Sequence, residues 1–267
     1  MFKRVSFPTL LVTWIAAIAM CLLAAIASAR AQEGPRGRLA PGTQPLLRDS
    51  MPPGEIGAIQ LLRKPELRGV WQAVELKGPE GMRLSMADAG QFTDDLAESR
   101  IAVMVGYVYR MRLTGLPYQE DSALYPTLEI IDRIHPPPER EHRFPIPIEI
   151  DEDDINEALR GGMVMRVVYL EDNEIAEPVE TAGRPQRVLD LRPTQDALRT
   201  ADQLGRPVAI LRIGSRVPNV SEGQDWDNFL FGCPAWTTLK PIPTKQMLID
   251  RGNLPATANS GSISDRR

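Results

Sequence analysis

Between Ile101 and Leu113 every second residue is apolar: Ile101, Val103, Val105, Tyr107, Tyr109, Met111 and Leu113. A period of two gathers these side chains on one face of an extended strand, whereas a helix would scatter them. The opposite face starts with Ala102, Met104, Gly106 and Val108 and ends with Arg110, Arg112 and Thr114. The pattern predicts one long strand, buried on both faces at its start and on one at its end. Gly115-Leu116-Pro117 stops it. Its backbone amides and carbonyls need partners, so the chain must supply a sheet.

Further strands are expected at Leu124–Ile134, Met163–Leu170 and Pro207–Ile213, with weaker candidates at Leu67–Leu76 and Met82–Met86. In Phe144–Ile150 the isoleucines alternate with Pro145, Pro147 and Glu149. Two prolines two residues apart remove amide donors from the same side, which predicts an edge strand. Two short helices are expected. Asp151 caps Glu152–Arg160, with acids in the first turn and Gly161 as the stop; Thr194 caps Gln195–Leu204, ended by Gly205 and Pro207. The fold class is therefore mainly β, a β-sandwich-like antiparallel domain with two short helices; α+β is the alternative.

Not all 267 residues belong to that domain. Lys3 and Arg4 precede the uncharged run Leu10–Ala27, and Ala27, Ala29 and Ala31 satisfy the small-residue rule at −3 and −1. Residues 1–31 are thus expected to be an export signal cleaved after Ala29 or Ala31, with an uncleaved membrane anchor through residues 10–27 as the alternative. A lipid anchor on Cys21 would need a small residue before it, and Met20 stands there. Residues 32–56 carry Pro35, Pro41, Pro45, Pro52 and Pro53 and read as a linker. The globular domain is expected over 57–218, an irregular aromatic appendix over 219–251 and a disordered tail over 252–267.

Loss of residues 1–31 removes three bases and no acid, taking the net charge from −4 to −7. An acidic exported protein does not recruit nucleic acid or anionic lipid by bulk charge. Of the two cysteines only Cys233 remains, so no internal disulfide forms and the core must suffice.

Catalytic signatures are missing from the sequence. There is no G-x-S-x-G elbow, H-E-x-x-H helix, P-loop or G-x-G-x-x-G turn, so no catalytic residue, metal ligand or cofactor is assigned. His135 and His142 lie in the proline-rich turn HPPPEREH and read as solvated imidazoles. Glu149, Asp151, Glu152, Asp153 and Asp154 miss the EF-hand spacing, because Ile155 and Asn156 fall on the fifth and sixth positions. They suit a helix N-terminus better. Glu171, Asp172, Asn173 and Glu174, and Asp225, Asp227 and Asn228, form two more acidic turns.

Two features suit binding. Arg110, Arg112, Arg133 and Arg166 lie on strands and could form a basic stripe for an acidic polysaccharide or lipid head group, or else pair across strands with Glu129 and Glu149. Trp226, Phe229, Phe231 and Trp236 cluster in DWDNFLFGCPAW. They form either a recognition patch or a lid that folds its rings back onto the domain, with Cys233 buried and inert within it.

The pieces GMRLSMADAGQF, YRMRLTGLP, LYPTLEIIDRIHPPPE, FPIPIEI, LRGGMVMRVVYLED and LGRPVAILRIGSRVP together cover most of Trp71–Pro218. In them the chain resembles an uncharacterised exported or envelope protein family of planctomycete-type bacteria. That resemblance implies a bacterial envelope or secreted protein, makes the Asn219-Val220-Ser221 sequon irrelevant and brings no activity or site residues. The expectation is a non-catalytic exported β-sandwich that binds or scaffolds an envelope protein or polysaccharide. Candidate contacts are Trp226, Phe229, Phe231, Trp236, Arg110 and Arg112. A hydrolase using clustered carboxylates and a loop calcium-binding module are the alternatives.

Overall fold

A computed structural model describes residues 44, 46–117, 119, 121–137, 139–172, 188–214, 217 and 226–240. The chain divides into two units at Thr43/Gln44, and the first lies outside the described residues. So do the expected export signal, the linker up to Thr43, the sequon, Asp225 and the tail.

The protein is mainly β. Strands β1 (Trp71–Lys77), β4 (Arg100–Met104), β7 (Ile146–Glu149) and β10 (Trp236–Thr238) form a four-stranded sheet in the order β10-β4-β1-β7. Strands β2 (Arg83–Asp88), β3 (Gln91–Phe92), β5 (Val108–Thr114), β6 (Thr127–Ile130), β8 (Val164–Glu171) and β9 (Gly205–Ile213) form a six-stranded sheet in the order β3-β2-β5-β6-β9-β8. Every pairing is antiparallel except β1 with β7. The sheets share one core. Val74, Leu76, Ile101, Val103, Ile146 and Ile148 from the smaller sheet pack with Met86, Tyr109, Met111, Leu128 and Leu211 from the larger.

The expected long strand is two strands in two sheets. Chain direction changes at Gly106, whose φ of 90° is left-handed and whose amide donates to Ile130 O at 2.6 Å. The corner preserves parity, because Ile101, Val103 and Val105 face the core before it and Tyr109, Met111 and Leu113 after it. Alternation therefore runs unbroken through a bend. Only Tyr107, on the corner itself, is thrown outward, to 41 % exposure.

The second expected strand shortens to β6, with Leu124 making an isolated bridge to Leu113. The proline-bearing strand β7 does lie on an edge, beside β1. Helix α1 (Glu55–Arg63) was not expected. Helix α2 (Glu152–Leu159) is capped by Asp151, whose carboxylate accepts from the Asp154 amide while Asp154 accepts from the Asp151 amide. Helix α3 (Ala197–Leu204) is capped by Asp196 and not by Thr194. The reason is a second carboxylate: Asp49 Oδ2 accepts from the Ala197 amide at 2.9 Å, so the two acids together satisfy the first turn. A short helix, α4 (Trp226–Phe229), precedes β10.

The end of the proline-rich stretch belongs to the fold rather than to a linker. Leu47 and Ile56 are fully buried against Ile131, Leu198 and Ile210 on the outer side of the six-stranded sheet. Helix α1 sits directly on the corner, since a Cβ at Gly57 would come within 2.7 Å of Gly106 O. With residues 44–63 and α3 covering the second face, β9 is buried from Pro207 to Ile213.

Candidate binding surface

The outer face of β2, β5, β6 and β9 presents a polar cross-strand row. Arg110 is paired with Thr127, and Thr127 with Arg212. Ser85 pairs with Arg112 one step along. The segment carrying α4 folds onto this face and covers Arg110.

Arg110 is 6 % exposed. Its Nε donates to Phe229 O at 2.9 Å and its Nη1 to Tyr125 O at 2.6 Å. The guanidinium lies 4.3 Å from the centroid of the Phe229 ring and 5.0 Å from that of Phe231. Stripped of water, such a cation gains from the quadrupoles of both rings. From Phe229 the aromatic contacts continue. Trp226 stacks on it at 5.7 Å, Tyr125 meets it edge-on at 5.6 Å, and Phe92 touches Tyr125 at 5.6 Å and Trp226 at 6.1 Å. Arg112 closes the ladder, 5.5 Å from the Phe92 centroid. Its Nη2 donates to Ser85 Oγ, while its Nε is buried and meets no acceptor. Phe92, Tyr125, Trp226 and Phe231 are each half-buried, so the ladder keeps one side to solvent.

Five of the six residues singled out from sequence thus form one cluster, with Arg110 and Phe229 buried in it. Trp236 stands apart: it packs against the inter-sheet core and its Nε1 donates to Ala87 O at 3.1 Å. Phe92 and Tyr125 were missed, being single aromatics in separate strands and turns with no local clustering to mark them.

The segment is clamped to the tip of the β2–β3 turn. Trp226 Nε1 donates to Gly90 O at 2.6 Å, and the Gly90 amide donates to Cys233 Sγ at 3.4 Å. Cys233 is half-buried and not enclosed as expected, because it must reach across to this turn. Ala89, Phe231 and Cys233 all have left-handed φ values, of 46°, 56° and 47°. Each costs on the order of 1 kcal/mol, so three strained residues converge on a single contact.

The basic stripe does not form, and Arg133 lies beyond the end of β6 rather than on a strand as expected. Arg166 is taken by Asp154 and Asp151, each at 2.6 Å. Burial alone would lower its pKa, but the two aspartates outweigh that and raise it. Nor do the stripe arginines pair with Glu129 and Glu149. Glu129 takes Arg212 at 2.8 Å, its diagonal neighbour on β9, and Glu149 faces Lys77 at 3.8 Å.

Acids near the core are held by bases. Asp132, 3 % exposed at its side chain, contacts Lys64 at 2.6 Å and Arg206 at 3.0 Å. Burial pushes its carboxyl upward, but the bonds from Lys64, the Arg133 amide and Arg206 prevail and hold it below the usual carboxylate range. Such a group is a poor general acid, because its proton is already lost. Tyr109 is pushed up to about 12, first by burial; its hydroxyl accepts from the Met104 amide and donates to Ala235 O, tying β10 to the corner. His135 and His142 are both exposed, and no group of three His, Cys, Asp or Glu among the described residues is arranged to hold a metal ion.

The arrangement offers the half-exposed rings of Phe92, Tyr125, Trp226 and Phe231 beside the half-buried Arg112 guanidinium, a chemistry that can hold rings and acidic or carbonyl groups. No family model, curated protein or solved structure matches this chain.

Proposed function

We propose that this protein is an exported, non-catalytic β-sandwich module that binds an envelope protein or polysaccharide of a bacterium through the surface from Arg112 to Arg110. The observation that carries this reading is the ladder Arg112–Phe92–Trp226–Phe229–Arg110, in which the Arg112 guanidinium and the Phe92 and Trp226 rings are only half-buried. A half-buried guanidinium can still donate to a ligand oxygen. Half-exposed rings beside it suit sugar rings or the apolar side chains of a peptide.

The test is in-cell photo-cross-linking from Asp227 or Asn228, the exposed residues of α4 that flank Trp226 and Phe229. A cross-linker there captures an envelope protein or polysaccharide, and Arg112→Ala diminishes the yield. Equal capture from a distant exposed site such as Arg160 would overturn the assignment of the surface.

A further inference from the structure

Two cations from separate elements converge on one buried oxygen. Lys64, directly after α1, and Arg206, near the start of β9, reach Asp132 Oδ2 at 2.6 Å and 3.0 Å. The carboxylate is fixed from its other side, where Oδ1 accepts from the Arg133 amide at 2.8 Å. Asp132 is buried, whereas the side chains of Lys64 and Arg206 are 31 % and 37 % exposed. One carboxylate therefore balances two cations, and the surplus positive charge belongs to groups that water still reaches.

The donors left over have a particular shape. Arg206 Nη1 is taken by Asp132 and by Arg133 O, to which it donates at 2.8 Å. Among the described residues its Nε and Nη2 meet no acceptor, and neither is sealed from water. Those two nitrogens carry N–H groups side by side on one edge of the guanidinium, which matches the paired oxygens of a carboxylate, phosphate or sulfate. Lys64 Nζ has three donors and spends one on Asp132. Because both cations touch the same oxygen, they lie within reach of one small anion. Arg206 is also held before any ligand arrives, between Asp132 and the Arg133 carbonyl, so little side-chain freedom is lost on binding.

We propose that Lys64 and Arg206, positioned by Asp132, form a binding site for a single oxyanionic group: a carboxylate, phosphate or sulfate. Its source is either a free inorganic anion or an acidic sugar of a polysaccharide. The site shares no residue with the ladder around Trp226 and goes beyond the function proposed for that surface.

Nitrogen NMR of the arginine side chains tests it on the purified full chain, at neutral pH and constant ionic strength in chloride. Three probes are titrated separately: inorganic phosphate, inorganic sulfate and trigalacturonate. The Arg206 Nε–H signal of the parent, assigned through bonds, is expected to shift saturably, a readout that needs no variant to fold. Calorimetry with the probe that saturates at the lowest concentration should show binding at least about tenfold weaker in Arg206→Lys and in Lys64→Gln. The first of these keeps a cation at Asp132 but lacks the paired N–H edge. Arg160→Lys, which alters an exposed arginine elsewhere, should bind like the parent. Phosphate or sulfate saturating first identifies a free anion, and trigalacturonate saturating first an acidic sugar; either supports the site. An Arg206 signal that no probe saturates, or equal affinity in the parent and Arg206→Lys, would overturn it.

Discussion

Glu129 and Arg212 meet at 2.8 Å with neither side chain more than 4 % exposed, and the same carboxylate accepts from the Gly57 amide in the first turn of α1. One buried anion thus neutralises a strand cation and caps a helix from outside it. Burying both charges is expensive, so the pair contributes less to net stability than to fixing where α1 lies. Removing one partner exposes that cost. Arg212→Met is expected to destabilise by about 3–5 kcal/mol, while Glu129→Leu/Arg212→Met recovers part of the loss. Urea unfolding of the two single variants and the double variant checks this; simple additivity would contradict it.

Asp132 makes stability depend on acid. Its carboxyl is held below 3.8 in the fold, so its contribution is complete above the unfolded value and is lost as pH falls through the folded one. Asp132→Asn is expected to cost about 1–3 kcal/mol at neutral pH and to flatten the acid limb of the stability profile. Melting curves through that range give the answer, and parallel limbs for parent and variant would refute the assignment.

At the alkaline end the group is Tyr109. With its pKa pushed up to about 12, its contribution is complete below the ordinary tyrosine value of 10.0 and fades as pH rises toward the folded value. Phenolate absorbance should show a late-titrating tyrosine, and Tyr109→Phe should remove that step. The same variant loses the bonds to Met104 and Ala235, so hydrogen exchange in β10 should quicken.

Phe229 holds the clamp over Arg110. Phe229→Ala leaves a cavity beneath a buried guanidinium and is expected to cost about 3–5 kcal/mol. Trp226→Phe, which keeps the ring stack but drops the bond to Gly90, should cost only about 0.5–1.5 kcal/mol. Chemical denaturation followed by circular dichroism separates the two, and equal losses would show that the stack does not hold the segment.

Local chemistry made much of this legible. Asp151 and Asp154 stand at capping-box spacing, and the two prolines of FPIPIEI mark an edge. What escaped the sequence depends on contacts distant along the chain. Gly106 turns the strand without disturbing its parity, so periodicity alone could not reveal the corner. Leu47 looks like one apolar residue in a linker until Ile131 and Ile210 are seen beneath it. The ladder was half legible: DWDNFLFGCPAW announced its own rings, but Phe92 and Tyr125 join them only through the sheet. Arginines expected on strands suggested a stripe, yet Arg110 is spent on the Phe229 and Tyr125 carbonyls, Arg112 on Ser85 and Arg166 on Asp151 and Asp154, while Arg133 lies beyond β6.

The account stands most directly on what the surface at Trp226 touches in the cell. Photo-cross-linking from Asp227 in intact bacteria should yield a discrete envelope protein or polysaccharide adduct, reduced at least about tenfold by Arg112→Ala, a loss of roughly 1.4 kcal/mol of binding. No adduct at Asp227, or one as abundant with Ala at position 112, would contradict it.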